Sequence, residues 1–190
     1  MDFLYKKHPK GTYEYASHKK KIDIIITLFL FALALGLYVI GRVTTGSNRN
    51  LLTIVAVLGL LPACKMVVDV IMCFRVKCCD TELKNIIDSK LGKLCGMYNM
   101  YFTSYEKNFA IDHLVIVGNS VIGYSSSGKF NEKDFTTHLN DLLRKEGIKD
   151  VMIKIFNDKD KYIKRLDELN ELENSDANLS IFALINNVTI

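Results

Sequence analysis

Two long apolar runs near the N-terminus constrain this chain more than any other feature. They extend from Ile22 to Ile40 and from Leu51 to Phe74, and only a short polar segment separates them. A helix of roughly 20 apolar residues crosses a hydrocarbon layer about 30 Å thick. The sequence therefore predicts three parts: a basic leader at 1–21, a membrane helical hairpin at 22–79 with spans at about 22–41 and 51–74, and a domain at 80–190.

Basic residues predict the orientation of this hairpin. The leader carries six lysines, and lysine and arginine resist transfer across a membrane, so the leader is expected in the cytosol. The second span returns the chain to the same side, which predicts a two-span membrane protein with both termini and the domain in the cytosol. The residues expected to contact lipid headgroups flank the spans: Lys19, Lys20, Lys21, Arg75 and Lys77.

A charged pair interrupts the second apolar run. Lys65 and Asp69 are four residues apart, so they share one face of a helix and can pair. In one interpretation Lys65 extends to the headgroups, as part of a snorkelling or packing pair. In the other, the pair makes a helix–helix contact or a functional polar site. A transporter would need an oligomer, because two helices alone cannot enclose a path.

The positive charge of the chain belongs to its membrane region. Residues 80–190 hold 17 acidic and 14 basic side chains, whereas the remainder has a net charge of +7. This division predicts attraction to anionic lipid and argues against a nucleic-acid partner. The five cysteines lack the spacing of a metal motif. Cys78 and Cys79, just past the second span, are expected to be reduced thiols, with acylation as the alternative.

Residues 80–190 have the pattern of an α+β domain with a mixed sheet. Apolar spacing predicts three helices, the second capped by Asn131: 81–94, 131–146 and 162–172. Aromatic and β-branched runs predict five strands: 97–102, 110–117, 121–124, 151–156 and 179–185. A Gly-Asn turn makes the second and third strands an antiparallel hairpin. The predicted order is helix, three strands, helix, strand, helix, strand.

One segment of this domain has a more specific pattern. The residues Ile111-Asp112-His113-Leu114-Val115-Ile116 are followed by the turn and then by Val121-Ile122-Gly123-Tyr124. This segment and the order of the elements resemble the nuclease-related domain (NERD) family, with its PD-(D/E)xK nuclease-like fold, over about residues 80–156. The resemblance implies that Asp112 stands where the family has its metal-binding aspartate.

The same resemblance implies that the family's chemistry is lost. The family's glutamate position falls on Ser125 and its lysine position on Ser127. A serine hydroxyl replaces neither a carboxylate ligand of magnesium or manganese nor the charge of a lysine. Glu82 and Glu106 are alternative carboxylates for a metal. The expectation is therefore no cofactor, with magnesium or manganese as the alternative.

Two local patterns near Asp112 have ordinary structural interpretations. Asp112 and His113 are neighbours on a predicted strand, so their side chains are expected on opposite faces and not as a hydrogen-bonded catalytic pair. The run Ser125-Ser126-Ser127-Gly128-Lys129 resembles a phosphate-binding loop but lacks its glycine framework. An ordinary polar loop is the simpler interpretation.

These patterns leave three functions open. The first is a non-catalytic, membrane-anchored cytosolic domain for interaction, scaffolding or sensing, whose partners are the lipid membrane and either other proteins or a second copy of the chain. The second is a metal-dependent nuclease or phosphodiesterase with migrated catalytic residues, which needs further carboxylates beside Asp112. The third is an accessory subunit of a membrane complex, which predicts Lys65 and Asp69 buried between helices.

Overall fold

A computed structural model describes residues 9–47, 49–76, 78–104, 107–128, 130–171 and 177–189. These residues form two compact units. One unit consists of residues 17–75, and the other combines residues 9–16 with residues 76–189. Part of the predicted leader therefore belongs to the same unit as the C-terminal domain.

The first unit contains two long apolar helices, all but the first two residues of α1 (Tyr15–Thr45) and the whole of α2 (Leu51–Arg75). Both are long and apolar enough to cross a membrane. Much of their apolar surface is open: Leu28 is 71% exposed and Leu61 is 67% exposed. The core helix of a soluble domain buries such side chains, so this exposure fits an apolar surrounding.

The two helices are packed through small residues and connected by a turn that Asn50 caps. Three alanines are buried in this unit: Ala34, Ala56 and Ala63. Alanine is small, and small residues let two helices approach closely. A Cβ atom on Gly41 would lie 2.8 Å from the Asn50 Oδ1 atom, so glycine is needed there. Asn50 caps α2 by accepting the Thr53 N–H at 2.7 Å, and its amide donates to the Gly41 carbonyl at 2.9 Å.

The second unit is an α+β domain with a four-stranded mixed sheet. Its elements, in chain order, are α3 (Thr81–Leu91), β1 (Cys95–Thr103), β2 (Asn108–Val117), β3 (Ser120–Tyr124), α4 (Glu132–Lys145), β4 (Met152–Phe156), α5 (Lys159–Asn170) and α6 (Leu179–Val188). The sheet order is β1-β2-β3-β4. β2 is antiparallel to β1 and β3, and β4 is parallel to β3. The predicted β2–β3 hairpin is confirmed.

Helices cover both faces of this sheet. α4 and α6 bury their apolar residues on one face, together with Ile111, Leu114 and Ile116 of β2. α3 and α5 pack on the other face, against Val115 and Val117. From Leu114 to Val117 the side chains alternate between the two faces with a period of two, as in a regular strand.

The prediction of a last strand at 179–185 is wrong, because these residues form α6. Asn178 caps the helix by accepting the Ser180 N–H at 3.0 Å. Ile181, Leu184 and Ile185 are buried at helical spacing against the α4 side of the sheet. A short apolar run such as Leu179–Ile185 suits a buried strand or a buried helix equally well by periodicity.

Candidate functional site

The alternation of faces is interrupted where β1 and β2 pass each other at Asn99 and Asp112. The pairs Tyr98↔His113 and Met100↔Ile111 flank this point, so Asn99 lies opposite Asp112. Asn99 has a φ of 55°, a left-handed conformation that asparagine tolerates better than most residues. We call this point the β1–β2 distortion.

The β1–β2 distortion places two neighbouring side chains of β2 on one face. Ile111 and Leu114 both lie in the core under α4 and α6, although they are three residues apart. The residues between them, Asp112 and His113, turn to the side of α3 and α5, where Asp112 lines a cavity with Leu83 and His113 contacts Tyr162. The prediction that these two side chains point to opposite faces is therefore wrong, since it assumed a regular strand.

Asp112 and the serine loop after β3 form one hydrogen-bonded group. The Asp112 Oδ2 atom accepts the Ser126 N–H at 2.5 Å, and Asp112 is only 6% exposed. The Ser125 hydroxyl donates to the Ala110 carbonyl at 2.7 Å, and the Ser127 N–H donates to the Ser125 hydroxyl oxygen at 3.4 Å. The structure thus brings Asp112, Ser125 and Ser127 together, and their polar groups hold the loop against β2.

A cavity of about 520 Å³ opens beside Asp112. Its lining is Cys78, Asp80, Glu82, Leu83, Asp112, Tyr124, Ser126 and Lys159. Glu82 therefore lines the same cavity as Asp112. The hypothesis that Glu82 supplies an alternative carboxylate for a metal requires this position. In the part of the chain that the structure describes, no three histidine, cysteine or acidic side chains are grouped to hold a metal ion. Glu106, Lys129 and Lys77 lie outside the described residues.

His113 is enclosed by two tyrosines. Its Nδ1 atom lies 2.6 Å from the Tyr162 hydroxyl, and its ring lies 4.4 Å from the ring of Tyr98. Burial lowers the pKa of His113 to about 3, so the ring is neutral at physiological pH. Its Nε2 atom has no partner among the described residues and faces Gly96, where a Cβ atom would lie 2.6 Å away. This close fit identifies His113 as a core residue.

Two cysteines next to this cavity differ in accessibility. Cys78 is exposed, whereas Cys79 is buried. Burial, followed by the negative charge of Asp112, raises the pKa of the Cys79 thiol to about 12. Cys79 is therefore an unreactive thiol at neutral pH.

Sequence reasoning missed three residues of this region: Asn99, Tyr98 and Tyr162. The Tyr98 hydroxyl donates to the Asp88 carboxylate at 2.5 Å, and burial is the first cause that raises the pKa of Tyr98. Tyr98 of β1 and Tyr162 of α5 contact His113, and Asn99 of β1 accepts the Cys79 N–H. No pattern along the chain indicates such long-range partners.

The unit formed by α1 and α2 has its own polar residues. Lys65 is exposed on α2 and Asp69 is half-buried, and no ion pair within 4.0 Å joins them among the described residues. Lys20, one of the predicted headgroup contacts, places its Nζ atom 4.7 Å from the ring centre of Phe74. Asp23 is buried, and the Cys73 thiol donates to it at 3.5 Å.

Comparison with models of protein families, with curated proteins and with solved structures finds no match to this chain. The resemblance of residues 111–124 to the nuclease-related domain family therefore stays a prediction from the sequence.

Proposed function

We propose that this chain is a membrane-anchored protein that presents a cytosolic α/β domain, and that the domain acts by binding and not by hydrolysis. α1 and α2 form the anchor. The α/β domain serves interaction, scaffolding or sensing at the membrane surface. The lipid bilayer and a protein partner are its expected contacts.

The anchor is supported by the spacing of cations along α1. Lys20 lies near one end of the helix and Arg42 near the other, and at 1.5 Å per residue they are about 33 Å apart. This separation matches a hydrocarbon layer of about 30 Å. The cation–π contact between Lys20 and Phe74 fits a membrane–water interface, where aromatic and basic side chains meet.

The single observation that supports a non-catalytic domain is the bonding of Asp112. By the resemblance to the nuclease-related domain family this carboxylate would bind a metal, yet here one of its oxygens accepts the Ser126 N–H. Ser125, which stands at that family's glutamate position, donates its hydroxyl to the Ala110 carbonyl. The polar groups of Asp112 and Ser125 thus make hydrogen bonds that fix the loop that follows β3.

A cleavage assay tests this proposal on the full chain in mild detergent. We expect no hydrolysis of single- or double-stranded DNA or RNA with magnesium or manganese, because phosphodiester hydrolysis by this route needs a metal held by converging acids. Asp112→Asn, which keeps an oxygen acceptor for the Ser126 N–H, is the matched variant. Robust cleavage by the natural chain that Asp112→Asn abolishes would overturn the proposal.

A metal-dependent phosphodiester enzyme is the second candidate, and one observation favours it. Asp80 and Glu82 line the same cavity as Asp112. Manganese binding, followed by the relaxation of water protons, separates the two candidates. The enzyme requires a bound ion that Glu82→Gln releases, whereas the binding domain requires no ion for its fold.

A further inference from the structure

The buried side chain of Asn99 forms hydrogen bonds to both chain segments that flank the hairpin, one before α1 and one after α2. The Asn99 Oδ1 atom accepts the Cys79 N–H at 2.6 Å, and its amide donates to the Tyr13 carbonyl at 2.9 Å. Tyr13 lies two residues before α1, and Cys79 lies four residues after α2. We call residues 9–14 the strap and residues 78–80 the exit segment.

The strap has several further attachments within the domain. The Tyr98 N–H donates to the Gly11 carbonyl at 2.8 Å, so the strap covers the outer edge of β1. The Tyr13 hydroxyl donates to the Cys79 carbonyl at 3.0 Å. The Lys10 ammonium group donates to the carbonyls of Asn186 and Thr189, near the C-terminus. Each attachment uses a partner distant in the sequence.

Asn99 adopts a left-handed backbone conformation that few residues other than glycine and asparagine take up. It is 4% exposed and has a φ of 55°, which costs free energy for a residue other than glycine. Such residues concentrate at switching or binding regions, where the surrounding contacts hold them. Here the two hydrogen bonds of the side chain compensate for the backbone conformation.

The same distortion connects the strap to the Asp112 cavity. Asn99 lies opposite Asp112 in the β1–β2 register. The exit segment that Asn99 holds supplies Cys78 and Asp80 to the wall of the cavity. Displacement of the exit segment therefore changes the cavity without any direct contact between Asn99 and a ligand.

We propose that Asn99 couples the membrane hairpin to the Asp112 cavity. The strap leads into α1 and the exit segment leads out of α2, so a change of helix tilt pulls on both segments. Asn99 transmits this pull to Asp112 and to the serine loop that Asp112 holds. The proposal rests on the proposed function, since it assigns the hairpin to the membrane, and it gives the domain a sensing role.

Amide hydrogen exchange of the full chain in micelles tests the coupling at the level of residues. Asn99→Gly removes the side-chain hydrogen bonds to Cys79 and Tyr13, and glycine adopts the left-handed backbone conformation without strain. We expect amide exchange about tenfold faster at Cys79 and in the strap. A tenfold change corresponds to a loss of about 1.4 kcal/mol in the free energy of local opening. We also expect faster exchange at Ser126, whose N–H donates to Asp112. Unchanged exchange at Ser126 would overturn the coupling.

Two further variants keep this test decisive. Asn99→Asp retains an oxygen for the Cys79 N–H but loses the donor to Tyr13, so strap exchange rises while Cys79 stays protected. If both segments stay protected in this variant, the assignment of Asn99 is wrong. Thr137→Ala removes an exposed side-chain hydrogen bond of α4, on the opposite face of the sheet, and is expected to leave exchange at the strap and at Ser126 unchanged.

Bilayers of different thickness test the connection to the membrane. Hydrophobic mismatch changes helix tilt at a cost of fractions of a kcal/mol per Å, so exchange at Ser126 is expected to differ about threefold between thin and thick vesicles. Asn99→Gly removes this difference. Equal exchange in both bilayers would overturn the coupling. A failure of the anchor itself would appear differently, as a chain that does not enter vesicles but keeps its exchange pattern in micelles.

Discussion

Asp112 and His113 are neighbours in β2, and their surroundings give the two ionisable side chains different roles. Asp112 accepts the Ser126 N–H with one carboxylate oxygen and lines an open cavity. His113 is enclosed and contacts the Tyr162 hydroxyl. The β1–β2 distortion brings both residues to one face, so an irregular strand decides the chemistry available at this site.

The neutral state of His113 predicts a loss of stability in acid. Its pKa is lowered to about 3 in the folded chain, whereas an unfolded histidine titrates near 6.5. The unfolded state therefore binds the proton first, and the stabilising contribution, complete above pH 6.5, decreases as the pH falls below it. Between pH 7.5 and pH 5 this loss is about 2 kcal/mol.

Guanidinium unfolding of the full chain, followed by tyrosine fluorescence, measures this loss. His113→Asn cannot titrate, so its stability changes less between the two pH values, by about 2 kcal/mol. His138→Asn is the comparison: burial also lowers the pKa of the half-buried His138, but less, so this variant is expected to reduce the pH dependence by a smaller amount. Equal pH dependence in the natural chain and in His113→Asn would contradict a neutral, buried histidine.

At the scale of the elements, β2, β3 and β4 approach each other closely at Gly123. A Cβ atom there would lie 2.9 Å from the Ile155 Cδ1 atom and 3.1 Å from the His113 carbonyl oxygen. The carbonyl oxygen is backbone and cannot move without disturbing the sheet. Glycine at this position therefore permits the spacing of the three strands.

Gly123→Ala is accordingly expected to destabilise the domain. Overpacking of this kind costs about 1–3 kcal/mol. The free energy of unfolding, measured in the same guanidinium assay, gives the cost. Gly128→Ala is the matched control, because a Cβ atom at Gly128 meets nothing within 4 Å. A Gly123→Ala protein as stable as the natural one would contradict the close approach of the strands.

Local signals explain which elements the sequence predicts. Asn131 caps α4 as expected, accepting the Lys133 N–H at 3.0 Å, and the amphipathic pattern of that helix defines its buried face. The run that forms α6 is short and almost entirely apolar, so its sequence does not separate a buried helix from a buried strand, and its helical spacing is evident only from the packing beside α4. The β1–β2 distortion escaped prediction because it depends on cross-strand and helix contacts.

At the scale of the whole chain, the strap is the feature that sequence patterns miss. Tyr13 bonds to Asn99, 86 positions away, and no periodicity reports such a contact. The two apolar runs, in contrast, are evident from composition alone. The strap adds a constraint to the predicted hairpin, since two segments bonded to one side chain lie on the same side of any bilayer.

The location of the two chain ends tests the central claim, a membrane hairpin that presents its domain to the cytosol. Reporter fusions at residue 1 and at residue 190 measure it in intact cells, with a fusion in the loop between α1 and α2 as the opposite reference. The expected result is a cytosolic signal at both ends and an external signal in the loop, because lysines retain the leader and the second span returns the chain. An external signal at residue 190 with a cytosolic signal at residue 1 would contradict the account.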